Sequence, residues 1–67
     1  MHKAIATFAA HIRHLRESAL LTVAELAAKS GLRRETVHRY ESGDREPSLK
    51  DARRLCKALG ISLSVFD

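Results

Sequence analysis

Four polar side chains able to exchange hydrogen bonds with another molecule lie within two turns of a predicted helix: Arg34, Glu35, His38 and Arg39. At about 100° per residue, a helix through this stretch has two distinct faces. The outward face carries Glu35, His38, Arg39 and Ser42, with Arg34 and Thr36 at its edges. The inward face carries Arg33, Val37, Tyr40 and Glu41. The spacing predicts that packing holds one side of the helix and leaves the other free to contact a polar partner.

These outward side chains suit the base edges that DNA exposes in its major groove. Arg34 or Arg39 can donate two hydrogen bonds to guanine, and Glu35 can accept one from the cytosine amine. His38 can donate or accept, depending on its tautomer. A second interpretation stays open. Glu35 and Arg39 are four residues apart, and on a solvated helix such an ion pair contributes about 0.2–0.5 kcal/mol.

The helix before this one has a clear start and a clear end. Thr22 and Glu25 have the spacing of a capping box, in which each side chain bonds the backbone amide of the other residue. Gly31 can adopt the left-handed conformation that closes a helix. These signals predict a helix over about residues 23–30.

Ala27, Gly31 and Val37 follow the pattern A-x3-G-x5-V. A small residue at Ala27 lets two helices cross closely, and Gly31 allows the tight turn between them. Val37 then points back into the core between the crossing helices. This pattern predicts a helix-turn-helix unit with its second helix over about residues 33–41.

The remaining elements are also predicted to be helical. Apolar residues at steps of three and four predict a first helix from about Ala4 to Ala19. Ser48 and Asp51 form a second capping pair before a fourth helix that Gly60 ends. A last short turn is expected over residues 63–66. The predicted fold is all-α, a compact domain of five helices without strands.

Length and composition favour a small intracellular protein. The 67 residues suit one domain, over residues 1–67, and the formal net charge of +4 permits an acidic partner such as nucleic acid. Cys56 has no second cysteine to pair with, which suits a reducing compartment. No apolar run approaches the roughly 20 residues of a membrane span, and the start lacks the apolar stretch of a signal peptide. We expect a cytoplasmic protein with no membrane partner.

Other chemistry has little support in the sequence. His11 and His14 are three residues apart and could share a metal ion, but no third ligand is evident. No spacing of a nucleophile and a base stands out, and no glycine-rich loop could hold phosphate. We therefore expect no metal, no cofactor, no catalytic residue and no enzymatic activity.

The chain resembles the lambda-repressor-like (Cro/repressor, or Xre-type) family of helix-turn-helix DNA-binding domains. The resemblance is carried by the segments "IRHLRESALLTVAELAAKSGL", "TVHRYESGDREPSL" and "LCKALGISL", which together cover nearly all of residues 12–66. It implies a five-helix domain whose third helix enters the major groove, and a homodimer on a palindromic operator. It also implies a structural ion pair between Arg16 and Glu41.

Contacts to DNA phosphates are expected around the third helix, because helix N-termini favour anions and the resemblance puts the starts of helices 2 and 4 at the DNA backbone. The candidates are Thr22, Val23, Arg33, Thr36, Ser42, Arg45, Ser48 and Lys50. The sequence departs from the family at two places. Val23 stands where a phosphate-binding glutamine is common, so it can offer only its backbone amide. Asp44 and Glu46 add negative charge to a loop that is often basic.

Two functions remain open at this point. The leading one is a transcription regulator that binds a specific double-stranded DNA sequence and is expected to act as a repressor. The alternative is an antitoxin or adaptor whose main partner is a protein, such as a toxin, with DNA binding secondary. It arises because Leu63, Val65 and Phe66 cannot all point inward from one short turn, and an exposed apolar side chain suits association.

Overall fold

The computed structural model describes the backbone of residues 4–62 and the side chains of residues 8–62. This part of the chain forms four helices and no strand: α1 Ala4–Ser18, α2 Val23–Ser30, α3 Arg34–Ser42 and α4 Leu49–Leu59. The all-helical prediction is correct, and the expected helix bounds agree to within one residue. The expected fifth helix, over residues 63–66, lies outside the described residues.

The start of α2 is held by the predicted capping box. The Glu25 amide donates to Thr22 Oγ1 at 3.0 Å, and the Thr22 amide donates to Glu25 Oε1 at 2.8 Å. The second predicted capping pair is only half formed. Ser48 Oγ accepts from the Asp51 amide at 3.1 Å, but the Asp51 carboxylate accepts a hydrogen bond from Tyr40 on α3 instead.

Two helix ends use the same backbone geometry with different residues. Gly31 closes α2 in the left-handed region, at φ 73°, and the following Leu32 amide donates to the Ala27 carbonyl at 3.0 Å. Leu20 takes the same role after α1, at φ 61°, and the next amide donates to the Arg16 carbonyl at 3.1 Å. A leucine in this conformation is strained, because its Cβ lies close to the following carbonyl oxygen.

The core draws one fully buried aliphatic side chain from each helix. Ile12, Leu26, Val37 and Leu55 have no exposed surface. Ala27 and Tyr40 complete the buried cluster. Burying a large aliphatic side chain contributes about 1.5–3 kcal/mol, so these residues hold the four helices together. Val37 lies in the core as the helix-turn-helix pattern predicts.

Candidate nucleic-acid interface

The outer face of α3 is exposed and slightly concave. Arg34, Glu35, His38 and Arg39 are all exposed. Together with Val23 of α2 they line a concavity of about 440 Å³, called here the recognition concavity. The structure thus brings the four predicted base-contacting side chains together on one surface, which the other residues of the described range leave open.

The inner face of α3 is held by Val37 and Tyr40, which are 0% and 3% exposed. Tyr40 Oη donates to Asp51 Oδ2 on α4 at 2.6 Å. Burial and this hydrogen bond raise the pKa of Tyr40 from 10.0 to about 12. The phenol therefore stays protonated at neutral pH and ties α3 to α4.

The C-terminal end of α3 is attached to α1 by an ion pair. Arg16 Nε donates to Glu41 Oε2 at 2.7 Å, and Arg16 Nη2 donates to Glu41 Oε1 at 3.1 Å. A third bond runs from Arg16 Nη1 to the Leu21 carbonyl at 2.7 Å. The hydrogen bond to Glu41 is the main cause that raises the pKa of Arg16. Arg16 therefore joins α1, the loop before α2 and the end of α3.

Arg33 corrects one sequence-based prediction. The helical wheel puts it on the inward face, but Arg33 precedes α3 in extended conformation, at φ −78° and ψ 147°, and is exposed. A wheel extrapolates helical geometry past the true helix start, so it misplaces the capping residue. Its side chain makes no capping hydrogen bond, as expected for arginine. The first amides of α3 therefore receive no acceptor from the side chain of their capping residue, which makes them candidates for binding an anion.

The other candidates for phosphate contact occupy helix starts and the loop after α3. Thr22 and Ser48 use their hydroxyls as caps, which leaves the next two amides of each helix without a helical partner. Thr36 is half-buried, and Ser42 Oγ donates to the Arg39 carbonyl at 3.1 Å. The exposed basic candidates besides Arg33 are Arg45 and Lys50. The candidates thus comprise amides at the starts of α2, α3 and α4 and exposed cations before α3, after α3 and in α4.

A second concavity of about 300 Å³ adjoins the first, since the two share Val23 and His38. Its other lining residues are Arg13, Arg16, Glu17, Glu41 and Ser42. The sequence did not predict Arg13 or Glu17 as residues of the site. Whether Arg13 and Glu17 line the site depends on how α1 packs across α3, and the sequence around these two residues does not indicate that packing.

Within the described residues, the thiol of Cys56 and the possible metal ligands are not arranged as a second site. Cys56 is buried, and burial raises the pKa of its thiol, which disfavours the reactive thiolate. Among the residues that the structure describes, no three His, Cys, Asp or Glu side chains are grouped to hold a metal ion. Within the same range, no helix has both the length and the apolar character needed to cross a bilayer.

Comparison with known proteins agrees with this geometry. A family model described as helix-turn-helix matches residues 12–66. The chain is similar to the restriction-modification controller protein C.AhdI from Aeromonas hydrophila, with 33% identity and a TM-score of 0.90 over 94% of this chain and 96% of that one. It is also similar to the clp gene regulator ClgR from C. glutamicum, with 26% identity and a TM-score of 0.89 over 98% of this chain and 86% of that one. No curated protein matched the chain significantly.

The matched region includes the capped start of α2, the turn at Gly31 and the whole of α3. It therefore contains every residue of the recognition concavity. The chain belongs to the lambda-repressor-like, Xre-type helix-turn-helix family of DNA-binding transcription regulators.

Proposed function

We propose that the protein regulates transcription by binding a specific double-stranded DNA sequence, with α3 inserted in the major groove. The observation that carries this proposal is the recognition concavity, where four exposed donor and acceptor side chains lie on one helix. The opposite side of that helix is held by Val37, Tyr40 and the Arg16–Glu41 pair. A fixed helix presents its polar groups in one arrangement, and such an arrangement distinguishes one base sequence from another.

The candidate phosphate contacts are expected to flank α3, the helix that is proposed to contact the bases. Amides at the starts of α2 and α4 approach the DNA backbone from both sides of α3, and Lys50 and Arg45 add positive charge. Such contacts set the register of α3 in the groove, and base contacts then supply specificity. Asp44 and Glu46, both exposed, reduce the attraction of the loop after α3 for DNA.

The protein acts as a homodimer that represses transcription from a palindromic operator. Half-sites of helix-turn-helix dimers lie about 34 Å apart, one turn of DNA. The longest dimension of the domain is 32 Å, so two copies fit on adjacent half-sites without overlapping. The likeness to a controller protein and to a gene regulator supports regulation over the antitoxin or adaptor function. The apolar residues that suggested that alternative, Leu63, Val65 and Phe66, lie outside the described residues.

Selection of bound sequences from random duplex DNA tests the proposal. We expect an enriched palindrome, whose affinity for the protein is then measured by fluorescence anisotropy. The double variant Arg34→Ala, Arg39→Ala should bind it at least tenfold more weakly, since each good bidentate contact is worth about 1–3 kcal/mol.

The matched control is the double variant Arg54→Ala, Lys57→Ala, which removes the same charge from a separate surface groove. The control variant should lose affinity only because its general electrostatic attraction to DNA is weaker, and this loss should be much smaller than that of the Arg34→Ala, Arg39→Ala variant. Equal losses in the two double variants would contradict base reading by α3. If no sequence is enriched and no duplex binds in a salt-dependent way, DNA binding itself is excluded and the protein-binding alternative gains support.

A further inference from the structure

We propose that Val23 contacts the C5-methyl group of a pyrimidine in the bound DNA, either thymine or 5-methylcytosine. The inference rests on the proposed function and adds to it an apolar contact that determines specificity. Val23 would thus take part in recognition through its side chain as well as its backbone amide.

The position of Val23 supports this role. Part of its side chain packs against the buried core cluster, and the rest lines the recognition concavity. It also lines the adjoining concavity, where it again lies with His38. Val23 therefore lies where the two concavities meet, directly beside the side chains proposed to read bases.

The chemistry of that surface suits the Val23 side chain to one feature of the DNA bases. The other four residues lining the recognition concavity are Arg34, Glu35, His38 and Arg39, whose side chains can all donate or accept hydrogen bonds. The base edges of the major groove offer donors, acceptors and one apolar feature, the pyrimidine methyl group. Arginine, glutamate and histidine match the polar features, whereas a valine side chain matches the methyl group.

The Val23 side chain is also fixed in position well enough to distinguish a base that carries the methyl group from one that lacks it. Valine is branched at Cβ and strongly prefers one χ1 rotamer in a helix. Val23 is the first residue of α2, and the capping box at Thr22 and Glu25 fixes that end of the helix. A rigid apolar group touching the methyl loses contact when that methyl is absent, without forming a new bond.

Replacement of thymine by uracil tests this contact, because it removes the methyl group and leaves the base pair unchanged. Each thymine of the DNA duplex selected by the wild-type protein is replaced in turn, and affinities are measured for wild type, Val23→Ala and Val23→Ile. Cytosines are replaced in turn by 5-methylcytosine in a second series. Circular dichroism melting verifies that both variants remain folded under the binding conditions.

We expect a position in each half-site where the methyl strengthens wild-type binding about fourfold, which corresponds to about 0.8 kcal/mol. Val23→Ala should lose this preference, and Val23→Ile should keep it. A preference in the uracil series identifies thymine, and one in the second series identifies 5-methylcytosine. The inference is wrong if the wild type shows no methyl preference, and it is also wrong if Val23→Ala keeps that preference. In both cases the proposal that the protein binds DNA still stands. If the wild type selects no duplex at all, the proposed function fails first.

Discussion

Arg16 and Glu41 lie 25 positions apart in the chain, and their side chains meet through two hydrogen bonds of 2.7 and 3.1 Å. The two side chains are only 12% and 7% exposed. The pair holds the C-terminal end of α3 against α1. The third hydrogen bond of Arg16, to the Leu21 carbonyl, holds the loop that leads into α2. Both helices of the helix-turn-helix unit thus depend on the same guanidinium group.

Glu41→Ala should lower the stability of the fold strongly. It leaves the little-exposed Arg16 without its partner, which costs about 3 kcal/mol and lowers the melting temperature by roughly 10 °C or more in a domain of this size. Arg13→Ala is the control, because its pair with Glu17 is exposed and 3.6 Å long. The control should change stability by less than about 1 kcal/mol. Similar melting curves for the wild type and Glu41→Ala would contradict the structural role of the pair.

Tyr40→Phe should destabilise the fold by about 1.5 kcal/mol at neutral pH, because it removes a hydrogen bond to a carboxylate. The pKa of Tyr40 is higher in the folded state than in the unfolded one, so folding favours the neutral phenol. That stabilisation is complete below pH 10 and is lost as the pH rises through about 12.

Melting temperatures of wild type and Tyr40→Phe, measured between pH 8 and about 12, test this dependence. The difference between the two proteins should shrink as the pH rises. Both proteins carry Cys56, so its titration cancels in the comparison to first order. A difference that stays constant over the whole range would argue against a hydrogen bond that depends on the neutral phenol.

Leu20→Gly should stabilise the protein by about 1 kcal/mol, since leucine at φ 61° carries a left-handed penalty that glycine avoids. The side chain is 89% exposed, so its loss removes almost no packing. Chemical denaturation measures the effect. Ala28→Gly is the control at an exposed position inside α2, where glycine should destabilise by about 1 kcal/mol. A destabilised Leu20→Gly would show that Leu20 contributes contacts beyond its conformation.

Lys50→Ala should reduce the salt dependence of DNA binding without changing the preferred sequence. A lysine that neutralises one phosphate releases counterions, so its removal lowers the slope of log affinity against log salt by about 0.9 for each protomer. Titrations at several salt concentrations give this slope. Lys57→Ala, on the separate groove, should leave it nearly unchanged. Altered base preference in Lys50→Ala would assign Lys50 to base contact instead.

The sequence alone determined the features that depend on neighbouring residues. The start of α2 follows from Thr22 and Glu25, and its end follows from Gly31, because capping bonds join residues only a few positions apart. The two faces of α3 also follow from helical periodicity, which assigned Val37 to the core and His38 to the surface.

The tertiary structure decided the features that depend on how helices pack. Asp51 could have completed a capping pair with Ser48, but the packing of α3 on α4 brings the Tyr40 hydroxyl to its carboxylate. The meeting of Val23 with His38 likewise depends on the crossing of α2 and α3. Local hydrogen bonds can be read from spacing, whereas contacts between separate helices depend on how the core side chains fit together in three dimensions.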